Sequence, residues 1–356
     1  MMCAESASGL MPGEAVADLT LEDIAKQAGV SRSTVSRVVN GQPNVREDVR
    51  TRVQQVIRRT GYHPHAAART LASQRSWMIG LVLPRSVSAF FTDPYFPHLT
   101  QGVAQACNQY NYTLGLFLIG NKEDEEKIIP RVSRRGFLDG ILVQTGQLGE
   151  QLIDQLANSK IPLVIAGRPF NPDGVSYIDV DNTDAAYNAV SHLIRLGYER
   201  VGTIAGPANN TTSIDRKEGY LRALAERGRT LDEALVAEGD FTEASGYYAM
   251  QRLLPARPDA VFAASDIMAM GAMRAAREAG LQVPQDMAFV GFDDLPLAPL
   301  ATPPLTTVRQ PVNQFGSAAV EILVDLIENG IRPPRRVMMV TELVIRESCG
   351  ASRRRG

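Results

Sequence analysis

Apolar residues near the start of the chain recur every three or four positions, which is the period of an amphipathic helix. Three such stripes follow one another and are separated by short polar breaks. The stripes are Leu21, Ile24, Ala25 and Ala28; then Val35, Val38 and Val39; then Val49, Val53, Val56 and Ile57. Thr20 and Ser31 stand where N-caps are expected, and Gly29 can take the positive φ of a tight turn. The pattern predicts three short helices, the first two joined as a helix-turn-helix, with Gly61 closing the third.

From Trp77 onward, short apolar runs alternate with amphipathic stretches. The predicted strands are Ile79–Leu83, Thr113–Ile119, Gly140–Val143, Pro162–Ala166, Val201–Ala205, Ala260–Ala263 and Ala288–Phe292. The predicted helices include Leu99–Tyr110, Asp184–Leu196, Lys217–Arg227 and Ile267–Ala279. Such alternation is typical of parallel sheets with helices on both faces, where ligands bind at the carboxyl ends of the strands.

Composition places this 356-residue chain among globular proteins, since 44% of its residues are hydrophobic and 21% are charged. No uninterrupted run of about 18 apolar residues occurs, which argues against a membrane span. Residues 1–18 carry no secretory signal pattern, so we expect a disordered tail on a cytoplasmic protein. Three widely spaced cysteines, and four histidines without a ligand motif, predict neither a disulfide framework nor a metal site.

Charge is unevenly distributed along the chain. The net charge is −2, yet residues 18–77 contain ten basic and five acidic side chains, so a positive head precedes an acidic remainder. A basic head is typical of a domain that meets a polyanion such as DNA. A solvated helical surface is the alternative interpretation.

The second predicted helix carries polar side chains suited to reading DNA. Those expected to face solvent are Arg32, Ser33, Thr34, Ser36, Arg37 and Asn40. The first residues of such a helix reach base edges in the major groove, where an Arg can bind guanine through two hydrogen bonds. A small helical bundle with a polar surface is the alternative.

A short alanine-rich segment, HPHAAARTLASQ, follows at residues 63–74. Isolated helices of this length are marginal in water, so the segment suits an element that becomes ordered only when something holds it. An inert linker is the alternative.

The stretches LTLEDIAKQAGVSRSTVSRVVNG and VREDVRTRVQQVIRRTGYHPHAAARTLAS resemble the LacI/GalR family of bacterial transcription regulators. The resemblance implies an α + α/β fold: a three-helix helix-turn-helix head, a hinge helix, and a two-lobed α/β body of the periplasmic-binding-protein type I. The implied boundaries are a tail at 1–18, the head at 19–62, the hinge at 63–76, one lobe at 77–179 and 310–339, and another at 180–309 and 340–349.

The same resemblance implies a set of DNA-binding residues. Arg32, Ser33 and Arg37 match base-reading positions. The positions that contact or approach phosphates are Thr34, Ser36, Asn40, Asn44 and Val45, and the predicted interface also includes Thr20, Ser31, Ala68 and Leu71. In this family a hinge leucine wedges into the minor groove and kinks the duplex, and Leu71 is the matching residue.

Seven residues are candidates for an effector-binding cleft. They are Tyr95, Phe96, Arg216, Phe241, Ser265, Asp266 and Asp293. Tyr95 and Phe96, placed between a strand and a helix, can stack on a ring. Arg216 can clamp hydroxyls or an anion, and Asp293 can accept two sugar hydroxyls. The resemblance places Phe241 over the ligand and turns Ser265 and Asp266 towards the cleft, and Asp266 is also a candidate N-cap.

The cleft departs from the family pattern in three places. Gly167 stands where relatives often carry a ligand-binding acid, and Ser265 stands where many sugar-responsive relatives carry Asn. A longer segment before the aromatic pair adds Arg85, Phe90, Phe91 and Asp93 near the rim. The loss of an acid and the gain of an arginine favour a phosphorylated or acidic sugar.

The leading interpretation is a sequence-specific transcriptional regulator that acts as a repressor of carbohydrate metabolism. Two heads on a homodimer read pseudo-palindromic double-stranded operator DNA, and a sugar-like effector in the cleft changes the angle between the lobes. The alternative effector is a purine or phosphorylated metabolite acting as a corepressor. The basic head argues against an exported sugar-binding protein.

An enzyme is disfavoured because GxGxxG, P-loop and GxSxG motifs are absent from the sequence. No cofactor and no membrane partner are expected. The C-terminus lacks a leucine heptad, which favours a dimer over a tetramer built on a terminal coiled coil.

Overall fold

The computed structural model describes residues 19–39, 42–62, 75–144, 150–330 and 333–351. The chain divides into two units, Met1–Arg75 and Ser76–Gly356. Among the described residues, no helix combines the length and the apolar character that a bilayer crossing requires.

The first unit contains the three predicted helices, α1 (Leu21–Ala28), α2 (Arg32–Val39) and α3 (Glu47–Thr60). Thr20 and Asp23 form a reciprocal capping box at the start of α1, as the N-cap prediction required. Gly29 ends α1 with φ +65°, a left-handed conformation that costs glycine nothing, and Gly61 ends α3 in the same way.

The three helices share one small core. Its buried members are Ile24, Ala25, Ala28, Val35, Val38, Val53, Val56 and Tyr62. Since this core takes up the apolar side of α2, the polar side of that helix is left to solvent. The helix-turn-helix prediction is confirmed.

The second unit is built on two six-stranded sheets. The first holds β1 (Met78–Leu83), β2 (Thr113–Leu118), β3 (Gly140–Gln144), β4 (Leu163–Ala166), β5 (Ser176–Val180) and β11 (Arg336–Met339) in the order β11-β5-β4-β3-β1-β2. The second holds β6 (Val201–Ala205), β7 (Val236–Glu238), β8 (Ala260–Ala263), β9 (Ala288–Asp293), β10 (Thr306–Arg309) and β12 (Glu342–Val344) in the order β12-β10-β9-β8-β6-β7. Every pairing is parallel except β10 with β12.

Helices flank both sheets. They are α4 (Val87–Thr92), α5 (Tyr95–Gln109), α6 (Lys122–Val132), α7 (Glu150–Asn158), α8 (Asn182–Arg195), α9 (Thr211–Ala225), α10 (Glu243–Leu253), α11 (Asp266–Glu278) and α12 (Val312–Asn329). The α/β prediction is confirmed. The predicted strands agree to within about a residue at each end, but α5 and α9 begin four and six residues earlier than expected.

The early start of α5 corrects one expectation. Tyr95 and Phe96 are the first two residues of the helix, rather than a segment before it. Asp93 holds this start in place, because its Oδ1 accepts a hydrogen bond from the Tyr95 backbone N–H at 3.0 Å.

The chain passes between the two sheets three times. It leaves the first sheet after Val180, returns after Arg309 to form α12 and β11, and leaves again after Met339 to add β12 to the second sheet. Each sheet with its helices is called a lobe from here on. The first lobe has β1–β5, β11, α4–α7 and α12, and the second has β6–β10, β12 and α8–α11.

Candidate functional site

The exposed side of α2 is the first candidate site, because it gathers the polar residues that the sequence singled out. Ser33 and Arg37 are exposed, whereas Thr34 and Ser36 are half-buried. Arg32 is two-thirds exposed, and its Nε lies 2.9 Å from Glu22 Oε1 on α1. The side of α2 opposite the core therefore offers hydroxyls and two guanidinium groups to a partner.

The start of α2 is organised by a hydroxyl cluster. Ser31 Oγ accepts a hydrogen bond from the Thr34 backbone N–H at 3.2 Å, so Ser31 caps the helix as predicted. The same oxygen lies 2.8 Å from Ser33 Oγ and 2.9 Å from Thr34 Oγ1. These two contacts use two of the three hydroxyl protons, so one hydroxyl of the cluster can still donate to a phosphate oxygen, which is the chemistry expected at this end of the helix.

The remaining predicted DNA contacts lie outside α2. Asn44 is exposed and Val45 is half-buried in the loop that leads to α3, while Thr20 is engaged in its capping box. Asn40, Ala68 and Leu71 lie outside the described residues, so their predicted roles stay predictions.

The second candidate site is a cavity between the two lobes, with about 650 Å³ of empty space when its solvent-open part is included. Its walls come from both sheets, at the carboxyl ends of β3, β4, β5, β8 and β9. The lining residues are Arg85, Asp93, Tyr95, Phe96, Gln144, Ala166, Gly167, Asp179, Asn182, Asn210, Thr212, Arg216, Phe241, Ser265, Ile267, Asp293, Gln310 and Phe315. Six of the seven predicted effector residues lie here, the exception being Asp266.

Asp266 is a correction to the sequence interpretation. Ser265, not Asp266, is the N-cap of α11, and Ser265 Oγ accepts from the Met268 backbone N–H at 3.3 Å. Asp266 is fully buried, and its carboxylate accepts from the Leu295 N–H at 2.9 Å and the Thr307 hydroxyl at 2.5 Å. It braces β10 and the loop after β9 instead of facing the cleft, and burial together with the charge of Asp293 raises its pKa well above the usual value.

Arg216 is the centre of the polar part of the cavity. The residue is only 4% exposed, and its Nε donates to Asn182 Oδ1 at 2.9 Å. Its Nη1 lies 3.6 Å from Asp293 Oδ1, and the guanidinium carbon stands 3.5 Å from the centre of the Phe292 ring. A buried guanidinium held by an amide, a carboxylate and an aromatic face keeps a fixed orientation towards a ligand.

Two buried carboxyl groups of the cavity hold protons more tightly than usual. Burial raises the pKa of Asp293 to about 7, against the opposing attraction of Arg216. Burial also raises the pKa of Asp179 to about 6, although Asp179 accepts hydrogen bonds from the backbone N–H groups of Val180 and Arg168. Between pH 6 and 7 such groups can either donate to or accept from a ligand hydroxyl.

The longer segment before α5 forms one edge of the cavity. Arg85 and Asp93 both line it, whereas Phe90 is buried and Phe91 is exposed on α4. Arg85 Nη1 donates to the Pro84 carbonyl at 2.9 Å, and its guanidinium lies over the Phe96 ring at 5.0 Å. Burial lowers the pKa of Arg85, while the charge of Asp93 opposes that shift. The added arginine therefore comes with a carboxylate that offsets its charge.

Sequence reasoning missed several polar lining residues. They are Gln144, Asp179, Asn182, Asn210, Thr212 and Gln310. Gln144 follows a predicted strand directly, and Asn210 caps a helix that follows another, so the rule that ligands meet strand ends was available to find these two, whereas Asp179 lies in β5, which the pattern did not predict. Gln310 was not accessible in this way. It follows a strand that the pattern did not predict, and its role becomes clear only from the hydrogen bond of 2.5 Å that its Nε2 donates to Asp293 Oδ1.

Comparison with known proteins covers both units. A model of bacterial regulatory proteins of the lacI family matches residues 20–65, and a model of a periplasmic binding protein-like domain matches residues 190–349. The HTH-type transcriptional regulator CelR of Thermobifida fusca is 38% identical over 333 residues, which is 92% of this chain and 98% of that protein.

Two solved structures are similar over almost the whole chain. One is a transcriptional regulator CelR–cellobiose complex, with a TM-score of 0.74, 36% identity, and coverage of 93% of this chain and 99% of that one. The other is the lac repressor dimer bound to operator and the anti-inducer ONPF, with a TM-score of 0.81, 25% identity and the same coverage.

Proposed function

Because this chain belongs to the lacI family of bacterial regulatory proteins, we propose that it is a repressor whose affinity for operator DNA is controlled by a neutral sugar bound between its lobes. It acts as a transcriptional regulator and not as an enzyme. The single observation that carries the proposal is the cavity at the strand ends, which aromatic side chains of both lobes line together with a buried Arg216 and its polar partners.

The head supports the DNA-binding half of the proposal. The exposed side of α2 offers Arg32, Ser33 and Arg37 to base edges, and the hydroxyl cluster at Ser31 suits phosphate oxygens. Residues 63–76, with Ala68 and Leu71, are proposed as the hinge that meets the minor groove. The lac repressor dimer on its operator, similar over 93% of this chain, supports a homodimer on a pseudo-palindromic site.

The cavity supports a sugar as the effector. The carboxyl, amide and guanidinium groups of the lining can bond ligand hydroxyls, and Phe241 from the second lobe lines the cavity with Tyr95 and Phe96 from the first. Aromatic faces and dense hydrogen-bonding groups together suit a polyhydroxylated ring. A structure of CelR is a complex with cellobiose, so a disaccharide is the first probe to use.

The charge of the cavity favours a neutral ligand over an acidic one. Its two guanidinium groups face three carboxyl groups, those of Asp93, Asp179 and Asp293. Arg216 is already within 3.6 Å of Asp293, and the charge of Asp93 acts on Arg85. Above about pH 7, where Asp293 and Asp179 are ionised, the described cavity has no surplus positive charge for a phosphate, so we set aside the acidic sugar that the sequence favoured. A cytoplasmic location follows from the proposed work on operator DNA.

Sequence-specific binding is tested by selecting DNA fragments from a random pool and measuring affinity for the selected site by fluorescence anisotropy. Arg37→Ala is compared with Arg58→Ala, which removes the same charge from the exposed side of α3. We expect Arg37→Ala to weaken the selected site by roughly 5- to 150-fold, since a guanine contact contributes about 1–3 kcal/mol, and Arg58→Ala to weaken all DNA by only a small, uniform factor.

Two results would contradict the assignment. One is a pool from which no sequence is enriched. The other is an equal loss for both arginine variants on specific and random DNA, which would reduce the head to a general polyanion binder.

A further inference from the structure

One ion pair joins the two lobes beside the cavity. Arg168 follows β4 in the first lobe, and Asp215 lies on α9 in the second. Arg168 Nη2 lies 2.6 Å from Asp215 Oδ1, and Arg168 Nε lies 3.1 Å from Asp215 Oδ2. This is the two-pronged geometry in which a guanidinium fixes both the distance and the angle of a carboxylate.

The backbone of Arg168 is tied to both lobes as well. Its carbonyl accepts from the Thr211 hydroxyl at 2.6 Å, and Thr211 is the first residue of α9. Its N–H donates to Asp179 Oδ2 at 2.8 Å, at the end of β5 in its own lobe. The backbone of Arg168 is therefore bonded to β5 in the first lobe and to α9 in the second lobe.

The pair stands next to the cavity without lining it. Gly167 and Asp179 line the cavity, and both adjoin Arg168 by sequence or by hydrogen bond, whereas the Arg168 and Asp215 side chains take no part in the wall. Any movement of α9 away from the first lobe must break these bonds. The same movement would carry Arg216, the next residue on α9, away from the first-lobe wall.

We propose that Arg168 and Asp215 form a latch across the cleft: they are positioning residues that hold the lobes closed around the effector without touching it. The identity of the bound molecule rests on the proposed function, but the closing of the lobes does not.

The environment of the pair favours a real contribution. The two side chains are 33% and 19% exposed, so solvent screens them less than a surface pair, and the bond to Asp215 raises the pKa of Arg168. A matched pair joins the same helix, α9, to α8 within the second lobe. Arg222 Nη2 lies 2.6 Å from Asp184 Oδ1, but both residues belong to the second lobe and are more exposed.

The test compares Asp215→Asn with Asp184→Asn, each in the full-length protein without ligand. Amide hydrogen exchange is followed by mass spectrometry in the segments 239–242 and 264–267, which line the cavity and to which neither latch side chain bonds. We expect Asp215→Asn to speed exchange there by about five-fold and Asp184→Asn to leave it unchanged. The charge-reversed double variant Arg168→Asp with Asp215→Arg should return at least half of the protection.

A second readout uses cellobiose as the probe in calorimetry. If wild type binds cellobiose, Asp215→Asn should weaken binding by about five-fold, whereas Asp184→Asn should not. If wild type binds no cellobiose, the choice of sugar fails, and the exchange measurement still decides the latch. Equal exchange in Asp215→Asn and wild type, or acceleration confined to the loop at 167–170, would overturn it.

Discussion

At the scale of single residues, the cavity depends on groups that water would normally solvate. Asp293, Asp179 and Arg216 are all at most 7% exposed, and each is held by hydrogen bonds or an opposite charge. A buried charge without a partner would lower the free energy of unfolding, so these three residues and their partners must be treated together. Its protonation state is consequently a property of the fold.

The raised pKa of Asp293 makes a prediction about stability and pH. The folded state keeps a proton up to about pH 7, whereas the unfolded chain releases it near the ordinary value of 3.8. The favourable contribution is therefore complete below about pH 4 and is lost as the pH rises through 7. Asp293→Asn removes this titration, so its free energy of unfolding should gain on wild type by at most about 1.4 kcal/mol per pH unit across that window.

Urea unfolding at pH 5, 6, 7 and 8 measures the effect, with Asp154→Asn on the exposed side of α7 as the control. The groups that act on Asp293 include Asp93, Asp266 and Arg216, and all of them remain in the variant. Parallel pH profiles for Asp293→Asn and wild type would show that Asp293 is already ionised in the folded protein.

Single residues also show what a sequence can and cannot reveal about a site. Asp293, which the sequence singled out, lines the cavity, while its neighbour Asp294 pairs with Arg309 and Arg346. The role of Asp266 was misjudged because its partners, Leu295 and Thr307, are distant along the chain. The local pattern places a residue at a strand end, but hydrogen-bond partners far along the chain decide whether its side chain lines the cavity or is held in the interior.

At the scale of elements, close helix crossings set the walls of the cavity. On α5, a Cβ at Gly102 would overlap the carbonyl of Asn313 on α12, and a Cβ at Gly316 on α12 would overlap the carbonyl of Leu99. The backbones can therefore approach only because glycine stands at both points. These two helices carry Tyr95, Phe96 and Phe315, so their spacing fixes where the aromatic wall stands.

Gly102→Ala should destabilise the protein by about 1–3 kcal/mol, because the helices must separate or shift to admit one methyl group into a packed contact. Gln101→Ala, at the exposed neighbouring position of α5, should stay within about 0.5 kcal/mol of wild type. Chemical denaturation of both variants decides the matter. An unchanged denaturation midpoint for Gly102→Ala would mean that the contact between α5 and α12 accommodates a methyl group without loss of stability.

Element type was more predictable than element extent. The apolar runs of β1, β3 and β9 predict strands from the sequence alone, and the amphipathic patterns of α8 and α11 predict helices. The strands β5, β7, β10, β11 and β12 were not predicted, since they are three to five residues long and several mix polar with apolar positions. Their strand conformation comes from pairing with neighbours in the finished sheet, which a local window does not contain.

At the scale of the whole molecule, the head and the body have separate cores and separate partners. The head core is small, whereas the body contains several larger clusters of buried side chains. A ligand stabilises only the unit that binds it, by an amount set by its concentration relative to its dissociation constant.

Cellobiose at about 100 times its dissociation constant should stabilise the body by about 2.7 kcal/mol and leave the unfolding of the head unchanged. Hydrogen exchange resolved along the chain measures both units in one experiment. At pH 8 a phosphorylated cellobiose should stabilise the body less, because the ionised carboxyl groups of the described cavity offset its positive charges there. Stronger protection by the phosphorylated sugar would restore the acidic effector that the sequence alone favoured.

The threefold passage of the chain between the lobes has a consequence for biosynthesis. The first lobe acquires α12 and β11 only after nearly all of the second has been made, and the second acquires β12 and the buried Cys349 last of all. A nascent chain that has emerged only as far as Arg309 thus holds two unfinished sheets. The first sheet is complete only once Met339 has emerged and the second only once Val344 has, so a premature stop before Arg336 leaves both without an edge strand.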